Sequence, residues 1–483
     1  MQKINLDDTI AAISTPLGES GIGIVRLSGR KSLSIADKIF VSKDRRKPSH
    51  FKTYTTHYGW IVNRPQTTDH RPQKKNKKLW TIGHGLSTKI IDEVILTVMR
   101  TPKSYTKEDI VEINCHSGIV PLKRILDLVI TCGARLARPG EFTQRAFING
   151  RIDLAQAEAV LDIIKAKTEA SLKVGINQLK GGLSCKINEL KENLLDILAS
   201  LEAQIDFSEE DIPATNKAEL LHRLSKITKQ IDKLLEESSY GKVLREGIIC
   251  VICGKPNVGK SLLLNALLRQ ERAIVTPIAG TTRDTIEEVV NINGIPLKIV
   301  DTAGIIETEN FIEKEAIRRT KNYLNLAQLI LFVFDGSQTL SKEDNLLIKE
   351  LKDRHTIAIV NKIDLPQKIN QGIIKRVFNK IVRISALKGT GLARLEDAIL
   401  KMVWSGRFSP CEDIIVSNLR HADALRQTND SLSRAIDSIT QELSLEFISE
   451  DIKRAIDSLG IITGENINED ILERIFSEFC IGK

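Results

Sequence analysis

The stretch Gly254-Lys255-Pro256-Asn257-Val258-Gly259-Lys260-Ser261 constrains this chain more than any other. An apolar run, Ile248 to Ile252, precedes it and reads as a buried strand. Leu262-Leu263-Leu264-Asn265-Ala266-Leu267-Leu268 follows and reads as a helix. Strand, glycine-rich turn and helix is the setting of a phosphate-binding loop. Gly254 and Gly259 permit a tight turn in which successive amides and the helix N-terminus point at phosphate oxygens. In such a loop Lys260 reaches the β- and γ-phosphates and the Ser261 hydroxyl ligates magnesium. A lone pattern of this kind could arise by chance, so the motifs that follow decide.

Asp301-Thr302-Ala303-Gly304 follows an apolar strand, Leu297 to Val300. An acid there can hold magnesium through water, and the Gly304 amide can sense the γ-phosphate. Asn361-Lys362-Ile363-Asp364 follows a third run, Thr356 to Val360. The Asp364 carboxylate can accept two hydrogen bonds from the N1 and N2 hydrogens of guanine, which adenine cannot supply. Ser385-Ala386-Leu387, after Ile381 to Ile384, completes a guanine pocket. Four elements in this order specify a GTP-binding domain, with Leu262 also beside the nucleotide. Thr282 is the expected second magnesium ligand. Where Ras-like proteins carry a water-orienting glutamine, this chain has Ile305, so hydrolysis must draw on another group.

Beyond these motifs the sequence resembles the MnmE (TrmE) family of tRNA modification GTPases. Pro256-Asn257, the run Thr276-Pro277-Ile278-Ala279-Gly280-Thr281-Thr282-Arg283-Asp284 and the terminal Phe479-Cys480-Ile481-Gly482-Lys483 carry the resemblance, which extends over nearly the whole chain. It implies a potassium site at Asn257, Thr276, Ile278 and Thr281, with Glu313 orienting the attacking water through a second water. It implies an N-terminal folate-binding and dimer-forming domain in which Arg26, Glu112, Arg151 and Lys483 line the pocket. It also implies a tetrahydrofolate one-carbon donor, an FAD-containing MnmG (GidA) partner in a heterotetramer, and a tRNA wobble uridine as the target. Cys480, after an amphipathic helix, reads as a catalytic nucleophile or general acid near the one-carbon unit, or else as a small buried residue at a helix end. Two positions depart from the family: Thr106-Lys107-Glu108 stands where Thr-Gly-Glu is usual, and Ile306 where an arginine is common. The segment 63–79 is also longer and more basic than in the family.

A chain of 483 residues should hold about three domains. The expected fold is multidomain, α/β and all-α. A mixed α/β domain over 1–149 precedes a helical domain over 150–245, a Ras-like GTPase domain over 246–406 is inserted, and helices resume over 407–483. Asp153 can cap the helix from Leu154, with Gln156 at the capping-box position. Ile471, Leu472, Ile475, Phe476 and Phe479 share one face of a last helix. Seven cysteines, odd in number and scattered, fit free thiols in a reducing compartment. Cys250 and Cys253 then read as core packing, and Cys115-His116 as a packed strand end more than half a metal site. The N-terminus has no secretory apolar region and no run is long enough to cross a membrane, so a cytoplasmic protein is expected. The net charge of +8 points only weakly to an anionic partner. Two other classes share the GTPase motifs. An Era- or Der-like ribosome-assembly GTPase would carry a basic Gly-x-x-Gly loop, which is not found after residue 410, and a signalling scaffold would leave the N-terminal domain without a role.

Overall fold

The computed structural model describes residues 6–63, 89–206, 216–270, 287–301, 323–404 and 415–483. Two compact units emerge, Met1–Glu158 with Gly464–Lys483, and Ala159–Thr463. The last twenty residues thus group with the N-terminal sheet, whereas the sequence reading joined them to the helical domain.

The first unit is built on a seven-stranded sheet in the order β3-β4-β5-β6-β2-β1-β7. Its strands are β1 (Ile10–Ile13), β2 (Gly23–Ser28), β3 (Phe40–Ser42), β4 (Thr55–Asn63), β5 (Lys89–Met99), β6 (Ile110–Cys115) and β7 (Arg135–Leu136). Side chains alternate between faces with a period of two. Val25 and Leu27 of β2 and Val111 and Ile113 of β6 therefore share one face, which helices Ser32–Ile39 and Ile119–Thr131 cover. On the latter helix Leu122, Ile125 and Val129 recur at three- and four-residue spacing and are wholly buried. Each such side chain contributes roughly 1.5–3 kcal/mol of burial. Arg26 and Glu112 are displaced to the opposite face by the same alternation, and the β2–β6 register sets them directly across from each other. The Asp153–Gln156 capping box forms as expected: the Asp153 amide donates to Gln156 Oε1 at 3.0 Å and the Gln156 amide to Asp153 Oδ1 at 2.8 Å.

The last helix, Glu469–Ser477, buries only its C-terminal end. Phe476 and Phe479 are enclosed, with the Phe476 ring 6.4 Å from that of Phe147, while Ile471 is 41% exposed. The expected five-residue apolar face is therefore used only where this short helix meets the sheet unit. Nearby, Arg145 is fully buried, pairing with Asp8, Glu108 and Glu141, and Arg135 pairs with Asp8 at 2.8 Å and Glu141 at 2.6 Å.

In the second unit a six-stranded sheet runs β13-β12-β11-β8-β10-β9. The strands are β8 (Ile248–Cys253), β9 (Glu287–Ile292), β10 (Ile295–Asp301), β11 (Leu329–Asp335), β12 (Thr356–Asn361) and β13 (Ile381–Arg383). All pairings are parallel except β9 with β10. Strand β8 lies between β10 and β11, so successive connections leave it in opposite directions, which opens a crevice at the carboxyl ends. Helices Gly182–Asp206 and Lys217–Glu246, before the sheet, pack with Leu419–Thr440 and Leu445–Thr463, after it. The sheet domain is thereby inserted in a helical one.

Cys250 and Cys253 are three apart on a strand and so face opposite sides. Cys250 packs with Ile248 and Ile252, Cys253 with Val251. Burial pushes both thiols up, that of Cys253 to about 12. Cys115 is buried and donates to the Gly23 carbonyl at 3.3 Å, while His116 pairs with Asp92 at 2.7 Å. Among the described residues no cluster of metal-ligating side chains is present, all cysteines are free, and no helix is long and apolar enough to cross a membrane.

Burial opposes the charged forms of Asp8 and Glu141, but Arg135 and Arg145 outweigh it and hold both carboxyls below their usual range. Their contribution to stability is present above the ordinary carboxylate pKa of about 4 and is lost as pH falls through the depressed values. Arg145→Met removes the buried cation, taking from Glu108 its ion pair and leaving Asp8 and Glu141 to Arg135 alone, which costs about 3–5 kcal/mol. Urea unfolding at neutral pH should show that loss; a change under about 1 kcal/mol would mean that the cluster does not hold the unit together.

Candidate functional site

The turn after β8 is shaped by close approaches. A Cβ at Gly254 (φ 144°) would lie 2.4 Å from the Val333 carbonyl oxygen, and one at Gly259 (φ 97°) 2.4 Å from Asn361 Nδ2. Between them Asn257 takes a left-handed backbone, φ 64°, and Val258 is anchored in the core. Helix Lys260–Gln270 starts directly after the turn. The buried Lys260 curls back over the loop, its ammonium donating to the carbonyls of Gly254 and Lys255, both at 3.0 Å. Ser261 and Leu262 face solvent at the helix start. A tight loop that leads into a helix N-terminus and holds a lysine on its carbonyls in this way has the donors and the charge for a polyphosphate.

The guanine motifs are fastened to this loop by one side chain. Asn361, 2% exposed at the end of β12, donates from Nδ2 to the Val258 carbonyl at 2.8 Å and accepts at Oδ1 from the Ala386 amide at 3.0 Å. Lys362, itself left-handed at φ 61°, donates to the Asn257 carbonyl at 2.8 Å. Ser385 bridges to Thr390 through its amide, and Leu387 is 72% exposed. A hydrogen bond from the Ser385 hydroxyl, with its own backbone amide and nearby lysines, holds the Asp364 carboxyl below the usual range. It is therefore an anionic acceptor at neutral pH, as guanine recognition requires. Asp301 ends β10 beside Ile252 of β8. Its side chain and the positions Thr276, Pro277, Ile278, Ala279, Gly280, Thr281, Thr282, Thr302, Ala303, Gly304, Ile305, Ile306 and Glu313 lie outside the described residues. For magnesium, only Ser261 of the expected ligands is described; its exposed hydroxyl beside the loop suits the ion.

On the N-terminal sheet the structure brings together three of the four candidate folate residues. Arg26 Nε pairs with Glu112 Oε1 at 2.7 Å, and Arg26 Nη1 donates to the Gly482 carbonyl at 3.1 Å. The chain end is tied down on all sides: Gly482 also accepts from Ser14 Oγ at 3.2 Å, the Phe142 amide donates to the Lys483 carbonyl at 3.2 Å, and Ile481 bridges Pro139. A Cβ at Gly482 (φ 97°) would lie 2.5 Å from the Ile13 carbonyl oxygen, so only glycine fits there. Burial first, and the neighbouring Arg26 second, push the Lys483 ammonium pKa down, with Glu112 opposing. Arg151 stands apart from that pair and stacks on the Tyr105 ring at 4.7 Å. Burial raises the Tyr105 pKa, while Thr143, Arg151 and Arg26 oppose it. Three cations, a carboxylate and the rings of Tyr105 and Phe142 (5.7 Å from Arg26) suit an aromatic anion. Tyr105 was not singled out in the sequence; its place directly before Thr106-Lys107-Glu108 was the available signal. Lys107 adopts φ 57°, a left-handed backbone, and its ammonium donates to the Gly150 carbonyl at 2.8 Å. Glycine at this position would adopt that backbone without strain. Cys480 is exposed, not packed in the core.

A mostly parallel sheet with a lysine-capped phosphate loop, tied by an asparagine to the segment that carries an anionic acceptor, defines a P-loop GTPase fold. A family model described as GTP-binding protein TrmE N-terminus matches residues 9–151, and one described as MnmE helical domain matches 154–480. The tRNA modification GTPase MnmE of Alkaliphilus oremlandii is 47% identical over 480 residues, 99% of this chain and 100% of its own. That of Clostridioides difficile is 46% identical over 480 residues, again 99% and 100%. A solved structure of Aquifex aeolicus Era bound to GDP.AlF4- is 32% identical, covering 38% of this chain and 66% of its own, with a TM-score of 0.27. The chain belongs to the MnmE (TrmE) family of tRNA modification GTPases.

Asp364→Asn turns one of the two guanine acceptors into a donor. GTP affinity should fall on the order of 100-fold or more, with preference moving to xanthosine triphosphate. Nucleotide titrations check this, and an unchanged affinity for GTP would remove Asp364 from base recognition.

Proposed function

We propose that the chain is a potassium-stimulated GTP hydrolase that acts with an FAD-dependent partner of the MnmG (GidA) type. Together they install an aminomethyl or carboxymethylaminomethyl group on carbon five of the tRNA wobble uridine, using a folate one-carbon unit. The observation that carries this reading is the match to tRNA modification GTPases along the full length of both chains, which an Era- or Der-like protein would not give. Dimerisation through the N-terminal unit and a cytoplasmic location go with it.

Lys260 and the loop amides would bind the β- and γ-phosphates, and Asp364 with Ser385, Ala386 and Leu387 the base. Ser261 and Thr282 would hold magnesium, and Asn257, Thr276, Ile278 and Thr281 potassium, which supply charge neutralisation at the transferring phosphoryl group. Glu313 would orient the attacking water through a second water, a role that Ile305 cannot take. Arg26 and Lys483 suit the glutamate of a folate and Glu112 the donor edge of its pterin. The exposed Cys480, two residues before the tethered Gly482, would serve as a nucleophile or general acid.

Nucleoside analysis of tRNA from cells lacking the gene tests the reading. The modified wobble uridine should disappear, return with the parent gene, and stay absent with Cys480→Ser, whose purified protein should keep near-normal GTP hydrolysis. Unaltered tRNA in the deletion would contradict the function. Full restoration by Cys480→Ser would contradict the role of the thiol alone.

A further inference from the structure

One carboxylate beside the nucleotide motifs belongs to none of them. Asp335 ends β11 in register with Asn361, the end of β12, and its side chain is 2% exposed. Its two oxygens do different work. Oδ1 accepts from the Ser337 amide at 2.9 Å and the Ser337 hydroxyl at 2.7 Å; Oδ2 accepts from Lys362 Nζ at 2.7 Å. The same ammonium donates to the carbonyl of Asn257 in the phosphate loop at 2.8 Å. A Cβ at the next residue, Gly336, would lie 2.8 Å from the Asn361 carbonyl oxygen and 2.4 Å from Gln367 Oε1, so the two strand ends meet closely here. Burial opposes ionisation of Asp335, but Lys362 and Ser337 outweigh it and hold the carboxyl below its usual range.

A lysine with a 30% exposed side chain has four rotatable bonds and an anionic neighbour in Asp364, toward which it could turn. Something must hold it on the Asn257 carbonyl, and the buried carboxylate is the group in contact. We propose that Asp335 is a positioning residue for nucleotide binding: it fixes Lys362, and through Lys362 the left-handed Asn257 and the loop that receives the phosphates. This rests on the guanine-nucleotide reading above. Asp335 reaches the nucleotide only through Lys362.

Asp335→Asn isolates the relay, because the amide oxygen can still serve Ser337 while the amide nitrogen faces the Lys362 ammonium, donor against donor. The Kd for GDP and the KM for GTP should rise at least tenfold, with kcat changing by a smaller factor. In Lys362→Met, adding Asp335→Asn should cause no further loss of GDP affinity, since the relay is already cut. Should Asp335→Asn not fold, as judged by circular dichroism and a thermal transition, Asp335→Ser replaces it with a hydroxyl that can still pair with Ser337. A single variant that binds GDP within twofold of the parent, or a double variant whose losses multiply, overturns the relay while the parent still binds GDP. A parent that does not bind GDP overturns the nucleotide reading itself, and the relay falls with it.

Discussion

The phosphate loop depends on one buried amide. Asn361 uses both ends of its side chain, one on the Val258 carbonyl and one on the Ala386 amide, so three loops from three strands share a hinge pin. A buried amide with either end unpaired would cost about 1–3 kcal/mol, so the arrangement favours all three loops together or none. Gly259 belongs to the same constraint, since any side chain there would strike the Asn361 amide. The parallel order around β8 supplies the geometry, because β11 and β12 end level with one another beside the loop.

What was legible in the sequence was what is encoded locally. The phosphate loop, the Asn361–Asp364 motif and the Asp153 capping box each place their partners within a few residues, so spacing alone reveals them. Strand β11 has no alternation because it is buried on both faces, and it was not picked out. Asp335 at its end therefore had no motif to announce it. The pairing of Arg26 with Glu112 spans 86 positions and is set by sheet register, so pattern did not reveal it, and family resemblance put the two only in one pocket. Arg145 was missed for the same reason: its partners Asp8 and Glu108 come from distant segments.

The chain end shows how far a short motif can be read. Its glycine is required because the Ile13 carbonyl lies where a side chain would begin, and its lysine ends half-buried beside Arg26 and Glu112. The helix before it contributes only Phe476 to the core, with Phe479 just past its end, so that helix anchors the tail more than it builds the unit. Cysteine is often a small buried apolar residue, but Cys480 is exposed, which removes core packing as the reason for it.

At the centre of this account is a loop that holds Asn257 in a left-handed backbone, in a chain with Ile305 in place of a water-orienting glutamine, and the proposal that a monovalent cation there supplies charge to the transferring phosphoryl group. GTP turnover measured in potassium and in sodium at equal ionic strength tests this most directly. Turnover at least tenfold faster in potassium, with the difference abolished by Asn257→Ala while nucleotide binding persists, is the predicted result. Equal rates in the two salts would contradict it.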